Sequence, residues 1–143
     1  SGIVDCCPRA LSKTENYIIN KYWLSRKLFT RFSKSLLYWL RLRGKTYTPP
    51  ERFRSNINIL KRHFGGNLYW LSILQGNDEY EKRVPGITKK VNTYNQILKD
   101  ELCNNVINLD GLDKRFIMSD YHHLNVEGHK YIFEKIIHLN GLD

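Results

Sequence analysis

The stretch that decides the fold is Asn67-Leu68-Tyr69-Trp70-Leu71-Ser72-Ile73-Leu74, at residues 67–74. It is nearly continuous in apolar residues and has the length of one strand. It lacks the alternation of polar and apolar residues that a strand with one solvent-exposed face shows. A strand of this kind is buried on both faces, as in a parallel sheet covered by helices. A shorter apolar run, Val106-Ile107-Asn108-Leu109, predicts a second strand.

Helices are predicted before the central stretch. Apolar residues recur at intervals of three and four across residues 11–42, which predicts one long amphipathic helix or two. Thr48-Pro49-Pro50-Glu51 is typical of a helix start, with Thr48 as the N-cap and proline in the first turn. Gly65-Gly66 is expected to end that helix.

Residues 75–81, which follow the central stretch, are predicted to form a polar loop, and Val84-Pro85-Gly86 then starts a helix. Its apolar set is Ile87, Val91, Tyr94, Ile97, Leu98 and Leu102. Asn125 is expected to cap a last helix, whose apolar set is Tyr131, Ile132, Phe133, Ile136, Ile137 and Leu139. With Gly2-Ile3-Val4 as the first strand, the order of elements predicts one α/β domain with parallel crossovers over residues 1–143.

Composition excludes some classes of protein. The 143 residues are 41% hydrophobic and 13% aromatic, which is enough to bury a core and excludes global disorder. The net charge of +9 suits nucleic acid, acidic lipid, an acidic protein or an anionic glycan, and it selects none of them. The cysteines are Cys6, Cys7 and Cys103, an odd number without C-x-x-C spacing, so no disulfide framework is predicted. Without a signal-peptide pattern or a spanning apolar run, we expect a cytoplasmic protein.

The chemistry lies in the loop before the last helix, where Asp120 precedes His123 by three residues. A carboxylate that accepts the Nδ1–H of an imidazole fixes its tautomer and leaves Nε2 free to take a proton from a hydroxyl. Asp120 and His123 are therefore our candidate catalytic residues, the acid-base part of a Ser-His-Asp triad. Asp-x-x-His also arises from turn-forming preference alone, so a purely structural interpretation stays open.

We interpret the two neighbouring histidines as noncatalytic. His122 is interpreted as a rim residue, and His129 as a packing or surface residue at the helix start. A metal site built from Asp120, His122, His123 and His129 is disfavoured, because the spacing fits no established zinc pattern. We therefore predict neither a metal nor a cofactor. Cys6 and Cys7 are expected to pack as small hydrophobic residues.

The pattern Asp-x-x-His-Leu-Asn-x-x-Gly-His resembles the last conserved block of the SGNH/GDSL hydrolase family. The residues that match are Asp120, His123, Leu124, Asn125, Gly128 and His129. Residues 2–9 and 78–86, with Tyr94-Asn95, add support. The resemblance implies a three-layer, flavodoxin-like parallel sheet with flanking helices. It also implies an ester hydrolase or O-acyl transferase that acts on an acylated carbohydrate or lipid, with catalytic Asp120 and His123.

The chain departs from the family pattern at its start. The family's first block, with the nucleophilic serine, and its second block are absent. We therefore expect a C-terminal part of a larger domain, lacking its N-terminal strand or strands and inactive alone. Val4 stands where the family has an oxyanion-binding asparagine, and loss of one such donor costs about a hundredfold in rate or more. Because an edge strand would be left unpaired, a second copy or a complementing N-terminal fragment is the expected partner.

A stretch rich in basic and aromatic residues gives the alternative function. It comprises Lys21, Trp23, Arg26, Lys27, Phe29, Arg31, Phe32, Lys34, Tyr38, Trp39, Arg41, Arg43 and Lys45. Such interleaving is found on membrane-surface helices and on nucleic-acid binders. We favour a solvated charged face over a buried aromatic one, since the sheet needs helices packed on it. The rival is a noncatalytic module that docks on an anionic membrane surface or another polyanion; nucleic acid is disfavoured, because no recognised motif accompanies the charge.

Overall fold

The structure, a computed structural model, describes residues 6–22, 34–120 and 122–139. Three sequence predictions lie outside these residues: the strand Gly2-Ile3-Val4, the role of Val4, and the middle of the basic stretch at residues 23–33. The described residues form a mixed α/β fold that is mostly helical, with a two-stranded parallel sheet. None of its helices is long and apolar enough to cross a membrane.

Residues 11–42, predicted to form one long helix or two, contain more than one helix. Helix α1 spans Lys13–Lys21 and helix α2 spans Lys34–Leu42. A capping box starts α1, because the Ser12 hydroxyl accepts the Glu15 N–H and the Glu15 carboxylate accepts the Ser12 N–H. Tyr22 ends the helix with an extended backbone, at φ −105° and ψ 110°. The single long helix is therefore wrong, and the alternative of separate helices holds.

The aromatic face of this stretch is not buried where the structure describes it. Among the aromatic residues of the basic stretch at residues 21–45, the exposed fractions are 43% for Tyr38 and 64% for Trp39, both on α2. No residue of α1 is buried. The favoured interpretation, a charged face over a buried aromatic one, is therefore wrong for these residues.

Helix α3 spans Pro50–Phe64. Its N-cap is Pro49 and not Thr48, so the predicted cap is wrong by one residue, and the carbonyl of Thr48 instead accepts hydrogen bonds from the Thr46 and Tyr94 hydroxyls. Gly65 ends the helix as predicted, at φ 59°, a backbone angle that favours glycine.

The central stretch forms a shorter strand than predicted. Strand β1, Trp70–Leu71, pairs in parallel with strand β2, Val106–Ile107. The Ser72 N–H extends the contact by donating to the Ile107 carbonyl over 3.0 Å. Burial on both faces holds only for the carboxyl end, since residues 72–74 are buried whereas Tyr69 and Leu71 are exposed.

Residues 75–81 are not simply a loop, because helix α4 spans Asp78–Arg83. The Asn77 side chain caps it by accepting the Tyr80 N–H over 2.9 Å, and acidic residues fill its first turn. An N-cap and a favourable helix dipole outweigh the absence of an apolar face in so short a helix.

Helix α5, Ile87–Leu102, builds the main core. Every residue of its predicted apolar set is buried, and it packs against Phe53 and Ile57 of α3. Cys6 and Cys7 are buried in the same cluster, as predicted. A smaller cluster of Leu74, Leu109 and Ile132 holds helix α6, Val126–Leu139, against the carboxyl ends of both strands.

The N-cap of helix α5 is Gly86, which has no side chain to accept a hydrogen bond from the first turn. Glu81 supplies the cap from α4: its carboxylate accepts the Gly86 N–H over 2.5 Å, the Thr88 N–H over 2.9 Å and the Thr88 hydroxyl over 2.8 Å. Burial alone would raise the pKa of Glu81, but the hydrogen bonds from Thr88 and Gly86 together lower it below its ordinary value. The carboxylate thus fixes the start of α5 relative to α4.

Candidate functional site

The segments at the carboxyl ends of the strands meet at Tyr80. Its ring stacks on His122, with centroids 4.9 Å apart and planes inclined by 26°, and it packs against the cluster that contains Cys7. Helix α4, which follows β1, and the loop that follows β2 thus meet beside one another, as expected for the carboxyl ends of neighbouring parallel strands. Burial raises the pKa of the Cys7 thiol, which disfavours the nucleophilic thiolate there.

Asp120 and His123 lie in direct contact. The Nδ1 atom of His123 is 2.6 Å from Oδ2 of Asp120, and because an ionised carboxylate only accepts, the ring N–H is the donor. The other carboxylate oxygen accepts the backbone N–H groups of His122 and His123, over 3.2 and 3.1 Å. The sequence prediction that this turn brings the two side chains together is thus met in the structure.

The carboxylate of Asp120 is held in its charged form. The hydrogen bond from His123 is the main cause, and the two backbone N–H groups add to it, so that the pKa of Asp120 falls to about 2. The imidazole of His123 is oriented by this charge, while 60% of its side-chain surface stays exposed. An oriented imidazole open to solvent can exchange a proton with a bound hydroxyl.

His122 is more enclosed than the predicted rim residue, with 20% of its side chain exposed. Its ring lies between Tyr80 and His123, whose centroid is 4.1 Å away. Its Nδ1 donates to the carbonyl of Asp120 over 2.9 Å, since a carbonyl oxygen can only accept. His122 therefore joins α4 to the loop that carries Asp120 and His123.

The loop is held by backbone hydrogen bonds at its base. Ile117 and Leu124 form an antiparallel bridge, and the Met118 N–H donates to the His123 carbonyl over 2.8 Å. The Asn125 backbone N–H donates to the Phe116 carbonyl oxygen over 2.9 Å. These bonds fix the two ends of the turn that contains Asp120 and His123.

Asn125 and Gly128 anchor this loop to α6. The Asn125 side chain accepts the Gly128 N–H over 2.9 Å, capping α6 as predicted, and donates to the Arg115 carbonyl over 2.5 Å. A Cβ atom on Gly128 would lie 2.3 Å from the Phe116 carbonyl oxygen, so the close approach requires glycine. His129 is exposed, so of its two interpretations, packing or surface, the surface one holds.

Among the residues whose side chains the structure describes, 6–22, 38–120 and 122–138, no serine hydroxyl hydrogen-bonds to the ring of His123. Ser12 caps α1, and the hydroxyl of Ser72 accepts the Leu109 N–H over 2.8 Å. The expected nucleophile and the position of Val4 lie outside the described residues.

Three of the four residues weighed as metal ligands lie together. One ligand atom from each of Asp120, His122 and His123 lies within 4.8 Å of the other two, whereas His129 does not belong to that group. Sequence spacing alone hides this cluster, because the tight turn and the stacking on Tyr80 bring both rings to one carboxylate.

The Asp120 carboxyl should titrate with a pKa of about 2, and replacing His123 with alanine should raise that pKa toward 3.8. The reason is that the variant removes the strongest hydrogen bond to the charged form. Because folding lowers this pKa, its contribution to stability is present above the ordinary carboxyl pKa and lost as the pH falls through about 2. Carbon-detected NMR of the carboxyl group measures both values. His129→Ala is the control, and an unchanged pKa in His123→Ala would contradict the assignment.

Comparisons of the chain with models of protein families, with curated proteins and with solved structures found no match. The functional argument therefore rests on this chain's own residues: the contact between Asp120 and His123, and the loop that holds them.

Proposed function

We propose that this chain carries the acid-base residues of an SGNH/GDSL-type serine ester hydrolase or O-acyl transferase. His123 is the general base and acid, and Asp120 orients it. The observation that carries the proposal is the 2.6 Å hydrogen bond between His123 Nδ1 and the Asp120 carboxylate, on an imidazole that stays open to solvent. The stacking of Tyr80 on His122, which joins the segments after β1 and β2, supports a site at this edge.

In the proposed reaction, His123 Nε2 takes the proton of a serine hydroxyl while the serine oxygen attacks the carbonyl carbon of an ester. As the tetrahedral intermediate collapses, the same proton passes to the leaving alcohol, and an acyl-serine remains. Water, or a sugar hydroxyl in a transferase, then attacks the acyl carbon while His123 takes its proton. As this second intermediate collapses, the bond to the serine oxygen breaks and His123 returns the proton to that oxygen, which releases the acid or the new ester. Asp120 stabilises the imidazolium that forms in each half of the reaction.

The wider architecture belongs to the same proposal. A three-layer, flavodoxin-like sheet needs strands in addition to β1 and β2, and the nucleophilic serine must come from residues that the structure does not describe. A preceding segment of the same protein or a second copy would supply them. The substrate proposed is an acylated carbohydrate or lipid, and the odd number of cysteines suits the cytoplasm.

The test is hydrolysis of 4-nitrophenyl acetate by the protein made from its complete coding sequence. His123→Ala should lower kcat/KM about a hundredfold or more, and Asp120→Ala should lower kcat more than it changes KM, since Asp120 acts by orienting the base. His129→Ala is the matched control, because this exposed histidine lies six residues away on α6. Equal rates in the wild type and in His123→Ala would refute the proposal.

A noncatalytic function is the second candidate, and the exposure of Tyr17 and Trp39 among basic residues favours it. Aromatic rings beside lysine and arginine suit the interface of an anionic bilayer. Cosedimentation with phosphatidylserine-containing vesicles tests it, with neutral phosphatidylcholine vesicles as the control. Binding to the anionic vesicles that Trp39→Ser weakens would support this function, and no binding would refute it.

A further inference from the structure

We propose that Asp120, His122 and His123 form a binding site for a transition-metal ion of the zinc type. The proposal starts from their shared geometry. Two imidazoles face a single carboxylate, with His123 Nδ1 at 2.6 Å from Oδ2 and His122 Nδ1 at 3.7 Å from Oδ1. Imidazole nitrogen and carboxylate oxygen are the ligand types that Zn²⁺ takes with open water positions.

The distances between the ligand atoms are close to those of a zinc site. Bonds of about 2.0–2.2 Å in a tetrahedral site place neighbouring ligand atoms about 3.4 Å apart. The three atoms here lie within 4.8 Å of one another, so small side-chain adjustments would bring them into range. An ion between the rings would replace the Nδ1 proton of each, and at His122 it would also take the place of the hydrogen bond to the Asp120 carbonyl.

The carboxylate is already ordered for this role. Its Oδ1 accepts the backbone N–H groups of His122 and His123, and the bridge between Ile117 and Leu124 closes the loop below it. The stacking of His122 on Tyr80 restricts the second ring. Ion binding therefore has little backbone entropy to overcome, which favours affinity in a site with only three protein ligands.

Metal binding would have one consequence for the chemistry, which rests on the proposed function. An ion on His123 Nδ1 places the remaining ring proton on Nε2, the atom that must accept a proton from the nucleophile. The imidazole can then no longer act as a base. Zinc is thus expected to be an inhibitor of ester hydrolysis, and His122, which the reaction does not use, is a ligand in the inhibited form.

The test is a titration of the 143-residue chain with zinc chloride, followed by two-dimensional NMR and calorimetry. The background variant is Cys103→Ser, because Cys103 is an exposed thiol that could bind the ion itself. We expect one ion per chain, with shifts at Asp120, His122 and His123. His122→Ala should weaken binding at least tenfold, as loss of a group at a metal site does, whereas the exposed control His129→Ala should leave the affinity unchanged.

Two results would overturn the site: zinc affinity that is unchanged in His122→Ala, or shifts that map elsewhere on the chain. Circular dichroism of each variant excludes misfolding as the cause of lost binding. The consequence for catalysis is measured separately in the protein of the 4-nitrophenyl acetate assay, as the zinc concentration that halves hydrolysis in the wild type and in His122→Ala. Binding without inhibition would leave the metal site standing and contradict the role of His123 as the base.

Discussion

Replacing Asn95 with alanine should lower the free energy of unfolding by about 3 kcal/mol, because it leaves two buried backbone groups without partners, each costing about 1–3 kcal/mol. The side chain is 3% exposed on α5 and reaches across to Ile73. Its Oδ1 accepts the Ile73 N–H over 2.7 Å, and its Nδ2 donates to the Ile73 carbonyl over 2.8 Å. These bonds tie the main helix to the chain just after β1.

Urea denaturation measures this loss, and two further variants define its cause. Asn95→Asp keeps an acceptor but cannot donate to the Ile73 carbonyl, and it buries a charge, so it should be at least as destabilising. Gln96→Ala is the matched control, since its exposed side chain bonds only to Asp100 among the contacts described, and it should change stability by less than about 0.5 kcal/mol. A loss below about 1 kcal/mol in Asn95→Ala would contradict the account.

Gly128→Ala should also destabilise the protein, by about 3 kcal/mol, because overpacking of a close contact costs about 1–3 kcal/mol and hydrogen bonds at the loop base are strained with it. The sign of the change in stability is informative, because intrinsic helix preference alone would make alanine about 1 kcal/mol more stabilising than glycine inside a helix. Here the new Cβ atom would lie 2.3 Å from the Phe116 carbonyl oxygen. Either α6 or the Phe116 backbone must move.

Thermal or urea unfolding tests Gly128→Ala, and NMR shifts at residues 116–125 show whether the loop with Asp120 and His123 moves. Gly66→Ala is the control, because nothing lies within 4 Å of the position that its Cβ would take. The control should be neutral within about 0.5 kcal/mol. A gain in stability for Gly128→Ala would show that helix preference dominates and that the contact with Phe116 relaxes without cost.

Local patterns predicted much of the helical fold. The spacing of apolar residues from Ile87 to Leu102 located the buried face of α5, and Asn125 and Gly65 marked helix ends correctly. Helix α4 was missed because its six residues carry no apolar face, so its cap at Asn77 decides its structure. The length of β1 could not be predicted, since it depends on how far β2, distant in sequence, runs beside it.

The candidate site, like the fold, could be predicted only where it depends on residues close in sequence. Asp120 and His123 lie on one turn, so their contact follows from a spacing of three residues. Tyr80 was not predicted as a site residue, and His122 was assigned to the rim, because their stacking joins segments about forty residues apart. Such contacts depend on how α4 packs against the loop, for which the local sequence carries no periodic signal.

The amide of Asn95 also limits how the sheet can grow. A side-chain amide offers the same donor and acceptor as a peptide group of an adjacent strand, and at Ile73 it occupies both. Because the Ser72 N–H points to β2, the polar groups of Ile73 point to the opposite edge. Any strand that pairs with β1 on that edge must therefore end before Ile73. Helix α5 thus limits how far such a strand can pair, and it blocks extended pairing with a foreign chain.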